Sequence, residues 1–179
     1  SEDKIKYVKS LGTKGVINRK NFNCWGELPD VSDTKAYGEY LEKVKEFGKA
    51  IWEFTGKYVA VDSVFEHPGG QTFPVSCFVV KRGGMVVYCA ATSGYNLTFD
   101  ARYGWMHQKR IQGSHFATLK QASEANKLII NKNIQPCMSE VLSWKDIPEA
   151  HMKMARNEHK PGNMAVLVQA KKHGMKTLK

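Results

Sequence analysis

The stretch V-D-S-V-F-E-H-P-G-G-Q-T-F-P-V-S-C-F-V-V-K-R-G-G-M-V-V-Y-C-A-A-T-S-G, Val61 to Gly94, decides the fold. It contains most of two short Val-rich runs. The first, Tyr58 to Phe65, closes on His67-Pro68-Gly69-Gly70; the second, Met85 to Ala91, follows Gly83-Gly84 and closes on Thr92-Ser93-Gly94. Short apolar runs bounded by turn residues read as buried parallel strands. Between them, Thr72 to Lys81 is long enough for a short crossover helix. The result is a strand–helix–strand unit, and sheets of this kind bind ligands outside the carboxyl ends of their strands. Here those ends carry Glu66, His67, Thr92 and Ser93. Glycine and proline often do no more than punctuate loops. Polar residues and glycines recurring at the same end of two successive strands favour a site.

Outward from this unit the pattern continues. Upstream, Asp33 to Thr55 carries an apolar stripe at helical spacing, Tyr37, Tyr40, Leu41, Val44, Phe47, Ile51 and Trp52, with Asp33 as its cap. Such a stripe is core. Residues 20–32 read as a loop. Ser1 to Leu11 reads as a helix capped by Ser1 and ended by Gly12, and Gly15-Val16-Ile17-Asn18 as a short strand. Downstream, the spacing predicts a helix over Arg102–Arg110, a strand over Ile111–Phe116 and a helix over Leu119–Asn131. A strand over Glu140–Trp144, a helix over 147–154 and a strand over 164–168 complete the chain. A helix, L-G-T-K-G and then V-I-N is the middle of a nucleotide-binding repeat. The strand and glycine-rich turn that precede such a helix are expected from a segment outside this sequence or from a companion chain.

The fold class that follows is α/β: an incomplete Rossmann-type, doubly wound parallel sheet, with later elements returning to a catalytic domain outside the sequence. The expected division is residues 1–135 as a partial cofactor-binding domain, 136–170 as a segment of the catalytic domain, and 171–179 as a basic tail.

Composition narrows the function. The 179 residues are 42% hydrophobic and 11% aromatic, enough for one core and too apolar for a disordered chain. No apolar run approaches the roughly 20 residues that span a bilayer. The amino terminus lacks an apolar signal core, and Cys24, Cys77, Cys89 and Cys137 have no C-x-x-C spacing; a cytoplasmic protein with reduced thiols is expected. The net charge of +10 resides in two places, +6 within residues 81–132 and +4 within 171–179. The tail reads as solvated. The middle excess suits nucleic acid or a phosphate-bearing small molecule. No RNA-binding signature, zinc spacing or aromatic–basic platform supports nucleic acid, so the small molecule is preferred.

The segments F-E-H-P-G, F-P-V-S, V-V-K-R-G-G-M-V-V, T-F-D-A-R-Y, W-M-H-Q-K-R-I-Q-G-S-H-F-A, L-K-Q-A, P-C-M-S-E-V and H-K-P-G-N-M-A-V-L-V-Q-A carry a specific likeness. From about Ser1 to Ala170 the chain resembles the carboxyl-terminal part of the crotonyl-CoA carboxylase/reductase family. That family belongs to the zinc-independent branch of the medium-chain dehydrogenase/reductase superfamily. The resemblance implies NADPH-dependent reductive carboxylation of an enoyl-CoA such as crotonyl-CoA, with carbon dioxide as co-substrate and neither metal nor biotin. It also implies a homo- or hetero-oligomer. The alternatives are an enoyl-CoA reductase without carboxylation, and a non-catalytic coenzyme-A or nucleotide-binding subunit of a split enzyme.

The resemblance also implies roles. Ser1 and Lys4 would lie where the adenosine ribose of NADPH sits, and a hydroxyl and an ammonium there favour a 2′-phosphate. For Lys4 the alternative is a solvated helix lysine. Arg19 would stack on adenine or contact the same phosphate. His67 would line the cofactor cleft, chiefly through the backbone of its turn. Thr92, Ser93 and Gly94 would approach the nicotinamide ribose, with no chemistry of their own. His115 is the choice for the reacting centre: a neutral imidazole there can hold an ordered water or donate to the nascent carboxylate. His107 and His151, read within helices, are structural. Arg82 and Arg102 would hold the adenosine and 3′-phosphate of coenzyme A, against the alternative of solvated charge. Lys109 and Arg110 suit a subunit interface as well as a ligand.

Overall fold

A computed structural model describes residues 2–132 and 134–170. Ser1 and the tail 171–179 lie outside the described residues, and with them the cap and cofactor role expected of Ser1. The chain forms two compact units, one ending at Phe116 and one beginning at Ala117.

In the first unit, α1 spans Glu2–Ser10 and ends as expected, with the Gly12 amide donating to the Lys9 carbonyl at 3.1 Å and Gly12 at φ 87°. Helix α2, Thr34–Thr55, begins where Asp33 accepts the Ala36 amide at 3.0 Å. Then follow β1 (Val61–Glu66), α3 (Phe73–Val79), β2 (Val80–Tyr88), α4 (Ala101–Met106) and β3 (Arg110–Gly113). The three strands form one parallel sheet in the order β1-β2-β3, and Glu66 pairs with Tyr88 and Tyr88 with Gly113 at one common end.

Three expectations change. Gly15–Asn18 is not a strand: no strand pairs with it among the described residues, and an unpaired extended segment has no ladder to join. The crossover helix stops at Val79, and β2 begins at Val80 rather than Met85. The cause is an irregularity at Gly83-Gly84. Val61 pairs with Val80 but Ser63 with Met85, so β2 carries extra residues here. Gly83 has φ 69°, and a Cβ on Gly84 would fall 2.8 Å from the Asp62 carbonyl oxygen. A glycine pair is what this bulge requires. Helix α4 is likewise shorter than expected, leaving His107 as its carboxyl-terminal cap rather than a helical residue.

The core has two parts. Cys24, Tyr37, Tyr40, Val44 and Val75 form one; Phe73, Cys77, Val80 and Val86 form the other. Because α3 contributes to both, it is wedged between α2 and the sheet. Val44 and Val86 are fully buried, each stabilising the unit by about 1.5–3 kcal/mol. This wedge fixes the start of α3 against the end of β1.

In the second unit, α5 (Leu119–Ile130) opens with a reciprocal capping box between Thr118 and Gln121. Strands β4 (Met138–Leu142) and β5 (Asn163–Val166) pair in parallel, and α6 (Ile147–Ala155) joins them. Among the described residues no helix is long and apolar enough to cross a membrane.

Candidate functional site

The carboxyl ends of β1, β2 and β3 lie along one edge of the sheet. The ladder runs slightly past the strands, with the Cys89 amide donating to the Glu66 carbonyl at 3.3 Å and the Ser114 amide to the Tyr88 carbonyl at 2.9 Å. His67, Thr92, Ser93, Gly94 and His115 therefore share this edge, each just beyond a strand.

Two loops on the edge are stitched together. Ser93 donates its hydroxyl to the Pro68 carbonyl at 2.8 Å and its amide to the same oxygen at 2.7 Å. Its Oγ also accepts the Gln71 amide at 3.1 Å. The Gly70 amide donates to the Gly94 carbonyl at 3.1 Å. The approach is closest at Gly69, φ 88°, where a Cβ would stand 2.7 Å from Ala91 Cα and 2.9 Å from the Gly94 oxygen. Gly94, φ 142°, has open space on its own Cβ side, so its backbone is accessible to a ligand.

Beneath the loops lies Glu66, 3% exposed. Its Oε1 accepts the Gly69 amide at 3.0 Å and the Thr72 hydroxyl at 2.6 Å; its Oε2 accepts the Ser76 hydroxyl. Thr72 is the residue before α3, yet its side chain does not cap that helix because it serves Glu66 instead. Three donors occupy the carboxyl group, so Glu66 is not free to act as a base, and Ser93, bonded on both sides, is not a nucleophile. Sequence reading placed Glu66 on this edge but missed its role. The available signal was an acid ending an apolar strand, followed by Thr72 and Ser76 one helical turn apart.

His115 is exposed, two residues past β3. Its ring packs on Phe116, centroids 3.9 Å apart and planes at 42°. Phe116 holds φ 49°, a conformation that non-glycine residues seldom adopt. Neither His67 nor His115 makes a side-chain hydrogen bond to a described residue, so both imidazoles remain available to a ligand.

The other candidates lie elsewhere. Lys4 is exposed on α1, and Arg19 is exposed at the head of the 3-10 turn Arg19–Asn21, where its carbonyl accepts the Trp25 indole at 2.9 Å. Arg82 is exposed near the amino end of β2, the opposite end from His115. Arg102 makes an ion pair: its Nη2 meets Asp100 Oδ2 at 2.7 Å and its Nε meets Oδ1 at 3.0 Å. Asp100 also accepts the Arg102 amide at 2.9 Å and the Tyr37 hydroxyl. Arg102 holds the Asp100 carboxyl down at about 2, helped by Tyr37. Burial, then Asp100, pushes the Tyr37 phenol up to about 12. Half of the Arg102 side chain remains exposed. Lys109 donates its ammonium to the Cys77 and Phe78 carbonyls at 2.7 and 2.9 Å, closing the last turn of α3.

Among the described residues, no three His, Cys, Asp or Glu side chains converge to hold a metal ion. Burial pushes the Cys24 and Cys77 thiols up to about 11 and about 12, away from the thiolate form that binds metals.

The chain is similar to known proteins along nearly its whole length. It is 64% identical over 176 residues to a crotonyl-CoA carboxylase/reductase of Cereibacter sphaeroides, covering 98% of this chain and 41% of that protein. A solved crotonyl-CoA carboxylase/reductase is 60% identical, with a TM-score of 0.90 over 99% of this chain and 41% of the other. Another, solved in complex with NADP, is 42% identical, with a TM-score of 0.90 over 96% of this chain and 42% of the other. The chain thus spans about 41% of the length of the curated relative. A family model described as zinc-binding dehydrogenase matches residues 1–131, which is most of the sequence and includes the whole strand-end edge; the chain belongs to that family.

Proposed function

We propose that this chain is the cofactor-binding part of an enzyme that reductively carboxylates an enoyl-CoA, crotonyl-CoA or a close relative, with NADPH and carbon dioxide. The observation that carries this reading is the 64% identity to a crotonyl-CoA carboxylase/reductase over 98% of the chain. Bound NADPH would supply the hydride. The residues of the strand-end edge fit a dinucleotide: the stitched turns at His67–Gly70 and Thr92–Gly94 present open backbone, as at Gly94. The family takes its name from zinc, but the described residues do not provide a ligand set for it.

The chain's own contribution centres on His115. Hydride arriving at the β-carbon of the enoyl thioester leaves an enolate; its α-carbon attacks carbon dioxide, which becomes the new carboxylate as the thioester carbonyl re-forms. His115 would hold an ordered water or donate to that carboxylate. The half-exposed guanidinium of Arg102 and the exposed Arg82 would serve the coenzyme-A phosphate and adenine, and Lys4 and Arg19 the 2′-phosphate of the cofactor. A companion domain and a cytoplasmic, oligomeric setting belong to the same proposal.

The test uses the natural polypeptide that carries this sequence, with NADPH, crotonyl-CoA and limiting bicarbonate. The wild type is expected to yield mainly ethylmalonyl-CoA. In His115→Ala the ratio of carboxylated to merely reduced product should fall while NADPH oxidation persists. Equal loss of both products would give His115 a structural or hydride-transfer role. A wild type that makes only butyryl-CoA would establish a plain reductase.

A further inference from the structure

Glu66 is a buried acid that the proposed chemistry leaves unused. It lies at the carboxyl end of β1, 3% exposed. Its donors come from three successive parts of the chain: the Gly69 amide in the strand-end turn, the Thr72 hydroxyl just before α3, and the Ser76 hydroxyl within α3. The turn His67–Gly70 is therefore tied from below to both the sheet and the helix. From above, the same turn is the platform for the next loop. The Pro68 carbonyl accepts both the amide and the hydroxyl of Ser93, and the Gly70 amide reaches Gly94.

A buried carboxyl group is costly unless its oxygens are satisfied, and here both are. That cost is borne at the point where two ligand-facing loops meet, rather than in the apolar cores formed around Val44 and Val86. Ordinary helix capping is given up for it, since Thr72 turns away from α3. A hydrophobic side chain of similar size would fill the same volume without these bonds, but the Gly69 amide and the Thr72 hydroxyl would lose their acceptor, and the turn that carries Pro68 would be held only by backbone bonds such as those from the Thr72 and Phe73 amides to the Gly69 carbonyl.

We infer that Glu66 is a positioning residue for the cofactor: it fixes the His67–Gly70 turn, and through Pro68 and Ser93 it presets the Thr92–Gly94 loop that meets NADPH. This rests on the proposed cofactor site. A preset loop raises the fraction of molecules competent to bind, so its loss raises the apparent dissociation constant by the inverse of that fraction. The acyl-CoA contact expected at Arg82 lies at the opposite end of β2, and Arg102 in α4 is held by Asp100 rather than by Glu66.

Two substitutions separate positioning from simple packing. Glu66→Gln keeps one acceptor oxygen for Gly69 and Thr72, and its amide can donate to Ser76 once that hydroxyl rotates. Glu66→Met keeps the length and removes every acceptor. Dissociation constants for NADPH and for crotonyl-CoA are measured on the natural polypeptide. Glu66→Met is expected to weaken NADPH about tenfold, equivalent to about 1.4 kcal/mol, with crotonyl-CoA unchanged. Glu66→Gln should stay within about twofold of wild type for both. Thr72→Val, which deletes one donor and keeps the carboxylate, should weaken NADPH about threefold, and decides the matter if Glu66→Met does not fold. Wild-type NADPH affinity in a folded Glu66→Met, or in Thr72→Val where Glu66→Met fails to fold, overturns the inference. So does equal weakening of both ligands. If the wild type itself fails to bind NADPH, the cofactor reading fails first and the inference falls with it.

Discussion

Asp100→Asn is the substitution whose size the structure predicts most directly. Asp100 is buried, accepts three guanidinium hydrogen bonds and the amide from Arg102, and also accepts the Tyr37 hydroxyl from α2. Its carboxyl is held at about 2 rather than 3.8, with the Arg102 hydrogen bonds as the largest cause. Holding the carboxyl at about 2 instead of 3.8 corresponds to at most about 2.5 kcal/mol of stability. The Arg102 side chain is half exposed, so solvent screens the pair and about 1–2 kcal/mol is the expected loss. Asparagine keeps an oxygen for the Arg102 amide, so α4 stays capped and the loss reports the charge. A depressed acid contributes fully above its unfolded pKa and loses that contribution as pH falls through its folded value. The gap between wild type and Asp100→Asn should therefore be constant from neutral pH to about pH 5, shrink below about pH 4, and close towards pH 2. Urea unfolding of the natural polypeptide, followed by tryptophan fluorescence across this range, measures it. A gap that persists undiminished at pH 3, or one below about 0.5 kcal/mol at neutral pH, would refute the account.

Two further outcomes follow from geometry. Gly69→Ala combines a φ of 88° with a Cβ 2.7 Å from Ala91 Cα, and should cost about 1–3 kcal/mol from the backbone conformation alone, seen as a lower unfolding midpoint and weaker NADPH binding. At about pH 8, iodoacetamide should modify the exposed Cys89 well before Cys24 and Cys77, whose thiols burial keeps protonated; peptide mass mapping of the native protein over time checks the order.

The strand–helix–strand centre was legible because its turns use residues with narrow conformational options. His67-Pro68-Gly69-Gly70 and Thr92-Ser93-Gly94 end strands whichever sheet they join. Asp33 capped α2 as expected for the same local reason. The sequence misled where pairing decides the outcome. Val16-Ile17 has strand composition, but it has no partner among the described residues. Conversely, Val80 joins β2 because Val61 is beside it, across a glycine bulge that hides the continuity from any reading of alternation. The site divides in the same way. The edge shared by His67 and Ser93 followed from parallel strands; His115 was reached only through the family resemblance, because Ile111–Phe116 reads as one strand whereas β3 ends at Gly113. The Tyr37–Asp100 bond joins residues 63 positions apart and leaves no local trace. Its local half, Asp100 capping Arg102, was there to be seen in D-A-R.

Surface loops usually tolerate insertions and deletions, and related enzymes commonly diverge through them. The stitching at Ser93 removes that freedom here. Its hydroxyl must reach Pro68 while its oxygen receives Gln71, and Gly70 must still meet Gly94. One residue added to either turn would put these partners out of step. Changes of ligand preference by insertion are therefore confined to segments outside these two turns, such as the stretch beyond Gly94 that leads to α4. The two turns themselves can vary in sequence only at positions, like Thr92, whose side chains take no part in the seam.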